Sequence, residues 1–121
     1  MDKGRDISNL VKKTFVEAID NLSKDYQGGS LSAIFITVDK ESGEVAFYDD
    51  DENRMADIVV FDWVNKQDKL EDEEIIRILR QVSEQLDNED LYAPIELHKP
   101  FSINYADDSF TITEVILTVN D

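Results

Sequence analysis

At 121 residues, 41% of them hydrophobic and including one Trp, four Tyr and six Phe, the chain is long enough for one domain with one core and too apolar for a disordered acidic segment. A net charge of −16 at pH 7 argues against nucleic acid or an anionic lipid surface as partner, because both demand a basic stripe. With no cysteine there is no disulfide framework, thiol nucleophile or thiolate metal site.

The charge is unevenly placed. Five basic and five acidic residues cancel over residues 1–30, so the whole surplus lies in residues 31–121, which carry seven basic and 23 acidic residues. Apolar residues near the N-terminus are interrupted by Lys12 and Lys13, so no signal-peptide core is read there. The longest aliphatic and aromatic run, Ile58 to Phe61, is four residues, against about 20 for a membrane helix. The expectation is one cytoplasmic domain over residues 1–121 with no membrane contact.

In chain order, Ile7, Leu10, Val11, Phe15, Ala18, Ile19, Leu22 and Tyr26 recur at three- and four-residue steps and predict a helix from Ile7 to Tyr26. Asp6 is its expected N-cap and Gly28-Gly29 its stop, while Lys12, Lys13, Asp20 and Lys24 face water. Leu31 to Val38 and Glu44 to Tyr48 predict a hairpin around the turn cluster Asp39 to Gly43. After the polar stretch Asp49 to Arg54, Ala56 to Val64 predicts a third strand, with Val59, Phe61 and Trp63 on one face and Ile58, Val60 and Val64 on the other.

Asp68-Lys69-Leu70-Glu71 has the acid-x-x-Glu spacing of a capping signal, followed by Asp72, Glu73 and Glu74, where a helix dipole favours negative charge. A second helix therefore begins near here and ends near Asn88. Its apolar stripe is Ile75, Ile76, Ile78, Leu79, Val82 and Leu86, with Arg77, Arg80, Glu84 and Asp87 toward water. The alternation of Ile95, Leu97, Phe101, Ile103 and Tyr105 with polar residues predicts a strand, with Pro100 marking an edge position or a bulge. Asp107-Asp108-Ser109 turns the chain into the last and longest strand, Phe110 to Val119.

The order α-β-β-β-α-β-β defines the expected fold class, an α+β two-layer sandwich with a mostly antiparallel five-stranded sheet and both helices on one face. Strands one, three and five place large apolar residues on both faces. Either the second face is a contact surface, for a second copy or another protein, or twist and the long final strand bury it. If the first three strands form a meander, residues 39–44, 66–74 and 107–108 converge at one end of the sheet. That end collects Asp39, Glu41, Glu44, Asp68, Glu71, Asp72, Glu73, Glu74, Asp107 and Asp108, the candidate partner-binding residues. The other end collects Asp49, Asp50, Asp51, Glu52, Asp87, Glu89 and Asp90.

No catalytic or cofactor motif is present. Asp49, Asp51 and Asn53 have the opening spacing of a calcium loop, but Arg54 and Val60 stand where its glycine and glutamate belong, so no metal site is expected. His98 is the only histidine and is read as a surface residue on a strand. Gly28-Gly29-Ser30 lies between helix and strand, the reverse of a phosphate-binding loop. Among 28 acids some pair always lies at a spacing suited to glycoside hydrolysis, but the lone Trp63 is read as core or interface, not as a sugar platform.

The functional expectation is a non-enzymatic module for a basic protein, of the immunity or antitoxin type, with a nuclease toxin as the natural target because a nuclease presents a positive groove. In element order and acidic character the chain resembles small bacterial immunity proteins of the YezG-like kind, and the resemblance implies neutralisation of a partner nuclease. It carries no residue roles. Class I type III secretion chaperones are similar in being small, acidic dimers with three strands between two helices, but they end on a further helix. A DNA mimic ranks third, since it needs a linear track of acids, and an enzyme last.

Overall fold

The computed structural model describes residues 3–25, 32–64 and 71–119. The chain forms α1 (Lys3–Asp25), β1 (Ala33–Asp39), β2 (Glu44–Tyr48), β3 (Arg54–Val59), a single helical turn α2 (Phe61–Val64), α3 (Asp72–Asn88), a 3-10 segment (Ala93–His98), β4 (Phe101–Ala106) and β5 (Ile112–Val119). The five strands make one sheet in the order β3-β2-β1-β4-β5, antiparallel at every junction except the parallel pair β1 and β4. This is an α+β fold whose long elements follow the order α-β-β-β-α-β-β. Among the described residues, no helix is long and apolar enough to cross a membrane.

The core lies between the helices and one face of the sheet. Ile7, Val11, Phe15, Ala18, Ile19 and Leu22 supply α1's buried stripe, and Ile75, Ile78, Leu79, Val82 and Leu86 that of α3. They meet alternate strand residues that the register sets side by side: Ile36 opposite Phe47 and Tyr105, Val38 opposite Val45, and Ile34 opposite Ile103. Phe15 touches both Phe47 (ring centroids 5.0 Å) and Tyr92 (5.9 Å), joining helix, sheet and the 3-10 approach in one aromatic contact.

Several boundaries differ from the sequence reading, each for a local reason. The first helix begins at Lys3, so Asp6 lies inside it and does not cap it; Leu10 is 40% exposed and leaves the stripe. Tyr26, Gly28-Gly29, Leu31 and the Asp68 to Leu70 part of the capping signal fall outside the described residues. The N-cap position of α3 is Glu71, whose side chain makes no capping hydrogen bond, while Asp72, Glu73 and Glu74 occupy the first turn as expected.

The third strand stops at Val59 because its partner begins at Glu44, leaving nothing further to pair with. Val60 N–H bonds to Gly43 O (2.8 Å), and Trp63 N–H to Val60 O (3.0 Å), turning the chain into α2. The turn separates residues that a strand would have aligned: Trp63 is wholly buried and Phe61 is 76% exposed.

Ile95 and Leu97 lie in the 3-10 segment and not in a strand, and the backbone of His98 closes that segment. Ile95 N–H bonds to Tyr92 O (2.9 Å), a turn pattern that suits Pro94, whose fixed φ fits the start of a helical turn. Pro100, after a cis bond from Lys99, sits just before β4, an interior strand, so it marks neither an edge nor a bulge. The bulges in β4 and β5 fall at Ile103/Asn104 and Tyr105/Ala106. The last strand starts at Ile112, because Phe110 takes φ 62° inside the preceding turn.

Both edge strands are capped by a helix side chain. Asn21 of α1 donates its amide to Met55 O on β3 (2.6 Å). Arg80 of α3, read from sequence as facing water, donates to Val115 O and Ile116 O on β5 (3.2 Å each) and to Glu114 (3.1 Å). Occupying the free carbonyls of an edge strand removes a template for unwanted strand pairing.

Trp63→Ala should lower unfolding free energy by about 3–5 kcal/mol in denaturant melts, as for other fully buried aromatics. Phe61→Ala should change it by no more than about 0.5 kcal/mol, as for most surface substitutions. Similar costs for the two would mean that they share one buried face, as a strand through Val64 requires.

Candidate functional site

Because β1 and β4 run parallel, with Thr37 beside Ala106, both finish at the same end of the sheet. The turn after β1, the start of α3 and the turn after β4 are therefore neighbours. Each of the three hairpin turns is organised by an aspartate whose carboxylate accepts hydrogen bonds from the N–H groups just ahead of it.

Asp39 Oδ1 accepts from Glu41 N–H (2.9 Å) and Ser42 N–H (3.4 Å), and Gly43, at φ 74°, closes the turn onto Asp39 O (2.7 Å). Asp107 Oδ1 accepts from Ser109 and Thr111 N–H (2.9 Å each), while Phe110 N–H reaches Asp107 O (2.9 Å). The turn at the opposite end is built the same way: Asp49 Oδ1 accepts from Asp51 and Asn53 N–H (2.9 Å each), and Glu52 N–H reaches Asp49 O (3.1 Å). Fourth-position residues Phe110 and Glu52 take φ 62° and 66°. The calcium-like spacing Asp49, Asp51, Asn53 is thus the signature of a self-satisfied turn, with Asp49 buried at 2% exposure.

At the first end, Asp72 Oδ1 accepts from Lys40 Nζ (2.9 Å) and from the Tyr105 hydroxyl (3.1 Å). The Lys40 bond, assisted by that of Tyr105, holds the Asp72 carboxyl below its usual range. Burial pushes the Tyr105 phenol up, and the neighbouring Asp72 carboxylate adds to the effect. Two shallow pockets open around this group. One of about 350 Å³ is lined by Asp72, Tyr105, Asp107 and Asp108 among others, and one of about 370 Å³ by Val38, Asp39, Lys40, Glu41 and Asp108.

Of the candidate residues, the structure brings Asp39, Glu41, Asp72, Asp107 and Asp108 together around these pockets, with Glu71 exposed beside Asp72 at the head of α3. Glu73 lines a separate groove of about 500 Å³ between α3 and β5, with Arg77 and Arg80. Glu74 is half-buried in the first turn of α3, and Glu44 turns onto the helix-free face to meet Arg54 (3.4 Å). Asp68 lies outside the described residues.

The other predicted acidic end is tied down at two places. Asp50 accepts from Ser32 at the start of β1 (3.1 Å), and Glu89, past the end of α3, pairs with Lys12 of α1 (2.9 Å). Lys12 holds the Glu89 carboxyl below its usual range. Among the described residues, no group of three or more His, Asp or Glu is arranged to hold a metal ion.

The sequence reading placed Lys40 at this end but missed Tyr105 as a part of it, and Phe110 as a turn residue. Tyr105 alternates onto the core face, and its hydroxyl projects past the end of the strand toward Asp72. A signal for Phe110 was present: Asp107-Asp108-Ser109-Phe110-Thr111 repeats the polar pattern of Asp49 to Asn53, with Phe in the place of Glu52. No family model and no curated protein matches the sequence, and no solved structure matches the fold.

Asp107→Ala should cost about 1–2 kcal/mol in chemical denaturation by stranding two turn N–H groups, and Asp107→Asn less, since its amide oxygen still accepts. Asp108→Ala, one residue on and exposed, should be neutral; equal losses at both positions would refute the turn assignment.

Burial raises the phenols of Tyr92 and Tyr105 in the folded state. The folded chain therefore keeps protons that the unfolded chain releases above about pH 10. Stability is full below that pH and falls as pH rises through the raised values. Tyr105→Phe should flatten part of that alkaline loss, followed by circular dichroism against pH, while an unchanged slope would place the effect elsewhere.

Proposed function

We propose that this chain is a non-enzymatic acidic protein-binding module of the immunity or antitoxin type, which docks and neutralises a basic partner such as a nuclease toxin. The reading is supported chiefly by the gathering of carboxylates from three distant segments, at Asp39 and Glu41, at Asp72, and at Asp107 and Asp108, around shallow pockets at one end of the sheet. Shallow pockets lined by charge suit a protein surface better than a buried small molecule. Lys40 holds the Asp72 carboxyl below its usual range, which favours its ionised form.

A field of this sign raises the encounter rate with a basic groove and orients the approach. Members of the cluster divide by what they hold. Asp39 and Asp107 secure their own turns, whereas the Glu41 and Asp108 side chains stand exposed beside them, placed to meet a partner's Lys or Arg.

The test begins with affinity capture from the native host and identification of the co-purifying protein. With that partner in hand, the double variant Glu41→Lys/Asp108→Lys should slow association at least about tenfold at low salt and flatten its salt dependence, with dissociation changed less. A partner that associates with the double variant as fast as with the native chain, or with no dependence on salt, overturns the reading.

A further inference from the structure

The helix-free face of the sheet carries a surface of different character from the acidic ends. The register lines up Arg54, Tyr48, Phe35, Asn104 and Val115 as one row across all five strands, and Asp57, Ala46, Thr37, Ala106 and Ile112 as the next. Over the β1 and β2 side of these rows lies Phe110, its ring edge-on to Tyr48 (centroids 4.9 Å) and to Phe35 (6.3 Å). Ala46, Asn104 and Ala106 in the middle of the rows are already buried, whereas on the β5 side Ile112 and Val115 are 48% and 50% exposed. We propose that this face docks a second copy of the chain, the two sheets packing face to face. The proposal stands apart from the basic-partner reading and, of its candidate residues, meets only Glu44 and Asp39 at the rim of the face.

Three observations carry it. The first is the backbone at Phe110. A bulky residue at φ 62° is held in a region that costs free energy, and the equivalent turn at the other end puts Glu52 there. The arrangement at Phe110 sets an aromatic ring onto the open face.

The second is charge. Within its strands, the face presents three described carboxylates: Glu44 and Asp57 lie against Arg54 (3.4 and 3.3 Å), which also bonds the Tyr48 hydroxyl (2.7 Å), and Asp39 stands at the rim in register with Glu44. In a chain of net charge −16 this patch carries only a small net charge. It offers a basic protein little to attract it, and it offers an identical chain little to repel it.

The third is size. Five strands at about 4.8 Å spacing, each about six residues long at about 3.3 Å per residue, give a footprint of about 500 Å² per protomer. A pair buries about 1,000 Å², where specific interfaces begin. A twofold pair meets through the same patch on both copies, and a mostly uncharged patch with a small net charge can be complementary to itself. Aligned sheets with interdigitating side chains would bring the uncovered Val115 and Ile112 of one copy toward the partner's aromatic side.

The experiment is sedimentation equilibrium of the purified full chain over about a hundredfold range of concentration, at low and at high salt. The expected result is a species of twice 13.9 kDa, favoured by salt because screening weakens the repulsion between the acidic ends. Ile112→Lys/Val115→Lys, at half-exposed positions, should weaken the dimer at least about tenfold, as like charges then face each other across the interface. Phe110→Gly keeps the positive φ and removes the ring; it should weaken the dimer too. Phe61→Lys, 76% exposed in α2 and outside the two rows, should leave it intact. A monomer at every concentration and salt overturns the proposal, as does a dimer that both face variants leave unchanged while circular dichroism shows them folded.

Discussion

The parallel pairing of β1 with β4 is the constraint from which the rest of the architecture follows. Antiparallel neighbours are joined by short turns, as β1 to β2, β2 to β3 and β4 to β5 are here. A parallel neighbour requires the chain to travel back along the sheet, and α3 is the element that makes this return. Its seventeen residues span about 25 Å, enough to cross the full length of the strands. With α1 beside it, the return path fills one face of the sheet and leaves the other without a helix. The same pairing makes β1 and β4 finish together. It places the turn after each of them beside the head of α3, where Lys40, Tyr105 and Asp72 meet.

Much of the acid at the sheet's ends is there to make the turns. Asp39, Asp49 and Asp107 each spend a carboxylate oxygen on N–H groups that the hairpin would otherwise leave without a partner. What such turns do not require is the further acid beside them: Asp50 and Asp51 after Asp49, Asp108 after Asp107, Glu41 after Asp39. The surplus charge is therefore concentrated by the fold, since the turns fix the first carboxylate and topology brings the neighbours of two turns to a common end. A chain with the same composition and a different strand order would scatter them.

This division explains what was legible in the sequence. Periodicity gave both long helices and five strands because Ile7 to Leu22, Ile75 to Leu86 and the alternating strand residues face a single core and repeat without interruption. The meander and the acidic end followed from turn lengths alone. What failed were stretches where apolar residues occur on both sides, since Ile58 to Val64 fits a buried strand and a tight turn equally well. Only the register with β2, which begins at Glu44 and so pairs no residue beyond Val59, decides between them. Ile95 and Leu97 misled for the opposite reason: alternation continued through Pro94 and Pro100, and the backbone chemistry of proline outweighed the pattern. Arg80 was unreadable because its partners are main-chain carbonyls, which leave no mark in the composition of β5.

The few cations show how the charge imbalance is sustained. Of the seven basic residues after residue 30, Lys40 joins the first turn to α3, Arg54 ties β3 to β2, and Arg80 joins α3 to β5. From the N-terminal part, Lys12 ties α1 to the end of α3. Exposed ion pairs of this kind contribute at most about 1 kcal/mol each, so they do not offset the self-repulsion of the whole chain. What they do is local: each lowers the field where two elements must touch, at the seams of the helix layer and on the helix-free face. Many of the remaining described carboxylates, such as Glu41, Asp51, Glu52, Asp108 and Glu71, stand at turn tips and helix ends, and others, such as Glu17 and Glu84, on exposed helix faces, where water screens them at least cost. The fold thus tolerates its charge by keeping neutrality at its seams and much of its acidity at its ends, where a partner recognised by charge finds it concentrated.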